Sequence, residues 1–160
     1  MSRFFGLFPG GPSSAKSPPA QNTALSYVRF TGFAGFGSSN NRVFRWSTQE
    51  EISGSDILPV QSAANGDSFL IAKKGIYTID KSFYPGVAVD VFIHFGDAIV
   101  NTVAYTATTI KRPKIFHAGY FDGMSWTGPI PAGKVIFTTA GAVPNNTYPL
   151  MNAITISRVR

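Results

Sequence analysis

The stretch GIYTIDKSFYPGVAVDVFIHF, Gly75–Phe95, decides the fold class of this chain. In its first half Tyr77, Ile79 and Phe83 fall on one face of an extended segment; in its second half Val89, Val91, Ile93 and Phe95 do the same. Successive side chains of a strand point to opposite faces, so the alternation predicts two half-buried strands joined by a turn at Pro85-Gly86. The other face of the second strand holds Asp90, Phe92 and His94. A half-polar face with a Phe in it predicts either solvent or a contact with another subunit.

Working outward, the same period recurs. Tyr27, Arg29 and Thr31 alternate with Val28 and Phe30; Val43–Trp46 follows a loop-like FAGFGSSNN; Phe69 and Ile71 share a face just after the turn signal Asn65-Gly66. Further strands are predicted at Ile99–Tyr105, Lys114–Tyr120, Met124–Gly128, Lys134–Thr139 and Ile154–Val159. No window shows a helical stripe. Nine or ten short strands separated by Gly, Pro and Asn turns predict an all-β antiparallel double sheet. Alternation alone supports an immunoglobulin-like sandwich as well as a jelly roll.

Composition agrees. A chain of 160 residues with 44% hydrophobic content makes one ordinary domain with a proper core. Only 14% of residues are charged, while 16 Gly, 11 Pro and 14 Phe favour many short strands and turns. With no Cys, disulfides, thiolate nucleophiles and Cys-ligated zinc are excluded. Apolar runs such as Val91–Phe95 are far below the roughly 20 residues a membrane helix needs, so no membrane partner is expected. Gly6 and Pro9 break the apolar start before a signal-peptide core forms, so retention in a cytoplasm is expected.

Residues 1–24 form a separate unit by composition. Phe4–Phe8, FFGLF, reads as an apolar anchor, and Pro9–Asn22 as a Gly/Pro/Ser-rich linker unable to build a ladder. The expected organisation is an extended N-terminal arm, 1–24, and a sandwich domain, 25–160. Charge is uneven: Arg3, Lys16, Arg29, Arg42 and Arg45 precede the first carboxylate, Glu50, whereas beyond residue 49 nine bases face eight acids. A basic front third predicts docking on something acidic.

Residues able to do chemistry are few. His94 and His117 are the only histidines and, without Cys, make at most a poor metal site. Glu50-Glu51 are adjacent, a spacing that sends side chains to opposite faces of a strand and suits a solvated loop better than acid/base catalysis. GFAGFG, Gly32–Gly37, lacks the spacing of a dinucleotide loop. GMSWTG, Gly123–Gly128, has Thr127 where a nucleophile elbow needs Gly. The sequon Asn145-Asn146-Thr147 marks an exposed loop. YVRFTGFAGF interleaves bases with aromatics like a nucleic-acid-binding strand, yet that fold needs helices, so Phe30, Phe33 and Phe36 are expected to fill a core or a subunit seam. No enzyme activity, cofactor, metal or nucleic-acid partner is expected.

Two stretches carry a resemblance. NRVFRWSTQEEISGSDILPVQSAANGDSFLIAKKGIYTI, Asn41–Ile79, and SWTGPIPAGKVIF, Ser125–Phe137, with the closing ITISRVR, Ile154–Arg160, together resemble the small C1q/TNF-like jelly-roll proteins of tailed-phage particles. The match runs in order over roughly residues 26–160. It implies a jelly-roll domain, homotrimeric about a threefold axis, with Phe92, His94, Phe137, Ile154, Ile156 and Arg158 at the trimer seam. It also implies a virion protein assembled in a host cytoplasm. As a capsid decoration or cement protein it would stabilise the head by docking Arg3, Phe4, Phe5, Leu7, Phe8 and Lys16 of its arm on the major capsid protein. The alternative is a tail-fibre tip recognising a host surface glycan, with Tyr120-Phe121 and Tyr148 available to stack on sugars.

Overall fold

The computed structural model describes residues 25–102, 114–116, 122–144 and 149–159. The arm 1–24, His117, Tyr120-Phe121, the sequon and Tyr148 lie outside the described residues. Among the described residues are ten strands: β1 (Tyr27–Phe36), β2 (Phe44–Ser53), β3 (Ile57–Val60), β4 (Ser68–Ile71), β5 (Gly75–Phe83), β6 (Val89–Gly96), β7 (Lys114–Phe116), β8 (Asp122–Ile130), β9 (Val135–Ala140) and β10 (Ala153–Arg158). A one-turn 3-10 helix, Pro149–Met151, precedes β10. The ladders between them are antiparallel and form two five-stranded sheets ordered β2-β1-β10-β5-β8 and β3-β4-β9-β6-β7. The two sheets pack face to face as a jelly roll.

The core follows the alternation. Val28, Phe30, Tyr77, Ile79, Phe83, Ile154 and Ile156 from the first sheet meet Phe69, Ile71, Val91, Ile93 and Ile136 from the second. At one end Phe33, Phe36, Phe44 and Phe83 pack edge-to-face around Phe44, with ring centroids 5.1–5.7 Å apart, and Trp46 stacks on Phe44 at 5.5 Å. Phe30 and Phe33 are therefore turned inward and unavailable for base stacking.

Three local expectations change. FAGF is strand: β1 continues to Phe36 through register shifts at Arg29/Phe30 and Phe33/Gly35, with Gly35 at φ 108°, where a side chain would be strained. Glu50 and Glu51 lie on the edge strand β2 rather than in a loop. A charged edge resists pairing with another chain. Ile57–Val60 forms an unforeseen edge strand that tolerates Pro59, and residues 99–102 of the expected Ile99–Tyr105 strand are not in a ladder, the remainder lying outside the described residues.

Candidate interaction surfaces

Three regions of the sandwich hold the side chains able to bind or react. The first is the outer face of β1, β10, β5 and β8. Because Ile154, Ile156, Ile79 and Met124 are used inside, the alternate residues Arg29, Ala153, Thr155, Asp80, Ser82, Gly123 and Ser125 point outward. With Leu150 they line a shallow groove of about 450 Å³. Arg29 Nε donates to Glu50 Oε2 at 2.5 Å across β2, and Thr31 Oγ1 donates to Glu50 Oε1 at 2.9 Å. These bonds, the Arg29 one first, hold the Glu50 carboxyl below its ordinary range, and Glu50 in turn raises Arg29. Thr78 and Thr127 hydroxyls share a hydrogen bond at 2.9 Å on the same face.

The second region is the face of β6 and β9 turned away from the core. Phe92, His94 and Phe137 form one stack, with centroids 5.7 Å and 4.9 Å apart. His94 Nε2 is 3.0 Å from Thr139 Oγ1. All three side chains are buried within the single chain, Phe92 3% exposed and the others 0%. Burial disfavours the imidazolium and pushes His94 down to about 4.

The third region is the mouth of the sandwich where β5 begins and β6 and β8 end. Ile76, Phe95, Pro129, Ile130, Pro131 and Ala132 line an apolar groove of about 790 Å³, with Lys74 and Arg158 at its rim. Arg158 Nη1 donates to Asp56 at 3.1 Å and Nη2 to the Lys74 carbonyl at 3.3 Å, while Trp126 packs 6.3 Å from Phe95.

The residues expected at a trimer seam fall in different places within the single chain. Ile154 and Ile156 belong to the core between the sheets, and Phe92, His94 and Phe137 are enclosed within one chain. Arg158 lines the groove at the sandwich mouth. The expected arm residues Arg3, Phe4, Phe5, Leu7, Phe8 and Lys16 lie outside the described residues.

One feature had no sequence signal beyond its position. Lys81 sits on the core face of β5 between Ile79 and Phe83 and is 1% exposed. Its Nζ lies 4.5, 4.7 and 4.9 Å from the ring centroids of Phe44, Trp46 and Phe83 and donates to the Ser82 carbonyl at 2.8 Å. Burial drives its pKa well below the ordinary lysine value. Attraction to three ring faces favours the protonated form and so offsets part of the cost of burying its charge. Among the described residues no group of His, Asp and Glu is placed to hold a metal ion.

No protein-family model matches the chain, and no curated protein does. Solved structures do match in shape. Murine APRIL at pH 8.5 superposes with a TM-score of 0.60 at 14% identity, covering 84% of this chain and 99% of that one. GITRL from bushbaby gives 0.51 at 11% identity, covering 84% and 94%, and pika GITRL 0.51 at 12%, covering 86% and 98%. The fold is a C1q/TNF-like jelly roll. The all-β jelly-roll sandwich expected for the domain is what the chain forms, and the immunoglobulin-like alternative falls.

Proposed function

We propose that this jelly roll is a non-catalytic structural protein of a tailed-phage virion, a homotrimeric capsid decoration or cement protein held on the head by its N-terminal arm. The sequence resemblance points to the virion, and the C1q/TNF-like fold supports self-association. The observation that carries the reading is the use of the domain's polar groups. Glu50 is tied to Arg29, Asp56 to Arg158 and Asp97 to Lys134, while Asp67 accepts the backbone amides of Trp46 and Ser62 at 2.7 and 3.0 Å. Those carboxylates brace strands and turns. In this reading the threefold contact uses the outer face of β1, β10, β5 and β8, whose Ala, Ser and Thr side chains suit the close approach of another copy. Sedimentation at micromolar concentration tests the trimer. Quantifying copies per particle tests the location: a number matching the shell lattice supports decoration, and a handful per particle overturns it.

The groove on that face favours a second reading, a tail-fibre tip that binds a host glycan. Asp80 and the Ser82, Ser125 and Thr155 hydroxyls are suited to a sugar's hydroxyls, beside the exposed Leu150. One face cannot serve both uses, so loss of host adsorption on Asp80→Ala, with heads intact, would replace the first reading by the second.

A further inference from the structure

The groove at the sandwich mouth can satisfy polar groups of a ligand only along one edge. Its walls, Ile76, Phe95, Pro129, Ile130, Pro131 and Ala132, carry no polar side chain. The backbone there is largely committed as well. Pro129 and Pro131 have no amide, Gly75 and Ile76 pair with Ile130 and Pro129 across the β5–β8 ladder, and the Ile76 carbonyl accepts the Val159 amide at 2.7 Å. A peptide or a sugar laid on these walls would lose water from many polar groups without regaining their hydrogen bonds. A hydrocarbon chain loses nothing of the kind.

The edge is different. Lys74 and Arg158 line it, and the turn that carries Lys74 is fixed from within: the Tyr77 hydroxyl donates to the Lys73 carbonyl, and Arg158 Nη2 donates to the Lys74 carbonyl at 3.3 Å. Arg158 Nη1 is matched by Asp56 at 3.1 Å, and its buried Nε has no acceptor among the described residues. Asp97, two residues past Phe95, is engaged by Lys134 at 2.6 Å. Lys73 and Lys74 are exposed, and neither ammonium meets a carboxylate among the described residues. The edge is therefore positive, and its backbone is held in place before any ligand arrives.

We infer that this groove binds a fatty carboxylate, with the hydrocarbon along Ile76, Phe95 and Pro129–Ala132 and the carboxylate at Lys74 and Arg158. A volume of about 790 Å³ falls within the range of small-ligand sites, about 300–1,000 Å³. A recess of that size takes a single chain out of solution, whereas a bilayer presents a flat surface. Covering the apolar walls supplies the attraction, and the positive edge selects an anion over a neutral chain of equal length.

Decanoate, below the concentration at which it forms micelles, is the probe, and decanol is the uncharged chain of the same length. Calorimetry on the full chain should show saturable binding of a single decanoate per chain, with decanol at least about fivefold weaker. Amide shifts should be confined to Ile76, Phe95, Ile130 and Ala132. Lys74→Glu should weaken decanoate about fivefold or more and leave decanol unchanged, and Ala132→Trp, at an exposed position, should abolish binding of both. No saturable binding, equal affinity for the two probes, indifference to Lys74→Glu, or decanoate binding that survives Ala132→Trp would overturn the inference. So would binding to anionic phospholipid vesicles without binding to decanoate, which would make this face a membrane contact. Groove amides that shift on dilution of the protein alone would overturn it too, by placing another copy of the chain there.

Discussion

Acid should destabilise this protein through His94, by an amount the structure bounds. The ring is closed off from water between Phe92 and Phe137, and its folded pKa is depressed to about 4. In the unfolded chain it returns to about 6.5. Between those values the unfolded state binds more protons than the folded one, so stability rises with pH across the window and is lost as pH falls through it. Each tenfold difference in proton affinity between the two states corresponds to about 1.4 kcal/mol, so the loss between about pH 6.5 and 4 is at most about 3 kcal/mol, a large share of the roughly 5–15 kcal/mol typical of a domain. The assay is urea unfolding followed by tryptophan fluorescence at fixed protein concentration, from about pH 4 to 7. His94→Gln keeps a donor for Thr139 but does not titrate. Its stability should fall less than the parent's across the window, by about 3 kcal/mol at most. The Glu50 carboxyl, depressed by Arg29, also costs stability in acid, but equally in both proteins. Equal acid losses for parent and variant would refute the reasoning.

Other outcomes follow from named contacts. Lys81→Met, which keeps the length and removes the buried amine, should be neutral or stabilising at pH 7, whereas Lys81→Ala should cost about 2–4 kcal/mol through the cavity it leaves among Phe44, Trp46 and Phe83. Because burial lowers the folded Lys81 pKa below its unfolded value, parent stability should gain on that of Lys81→Met as pH rises towards the ordinary lysine value of about 10.4, which urea midpoints will show. Gly66→Ala should cost more than about 1 kcal/mol, since φ is 81° and the new Cβ would lie 2.5 Å from Val43 Cγ1; thermal unfolding checks it. Arg29→Ala should cost at most about 1 kcal/mol and less in high salt, because the Arg29–Glu50 pair is partly exposed.

Much of the fold was legible because period-2 alternation is a local property. Gly75–Phe83 and Val89–Gly96 are both strands, and Tyr77, Ile79, Phe83, Val91 and Ile93 reach the core as their alternation predicts. Where the signal is not local, less could be foreseen. Phe92 and His94 alternate away from the core and so look like surface, yet they are buried on the second face of their sheet. Lys81 looks like surface by residue type, and only the assembled ring cage explains its place. Ile154 and Ile156 show period two, but which face is inward depends on the facing sheet. The apolar groove had no sequence signature, because Ile76, Phe95 and Pro129–Ala132 come together only when three strands end at one mouth.

Whether the protein clamps a capsid shell is decided most directly by heating filled heads with and without it. A clamp binds only the assembled shell and so stabilises that state alone. Heads lacking the protein should burst at a lower temperature, and heads assembled with the variant carrying Phe4→Ser, Phe5→Ser, Leu7→Ser and Phe8→Ser should behave like them, while Arg3→Ala with Lys16→Ala should have the smaller effect, since exposed charges contribute only about 0–1 kcal/mol each. Heads that remain equally robust without the protein, on particles that no longer adsorb to cells, would contradict the cement assignment and place the jelly roll on a tail fibre.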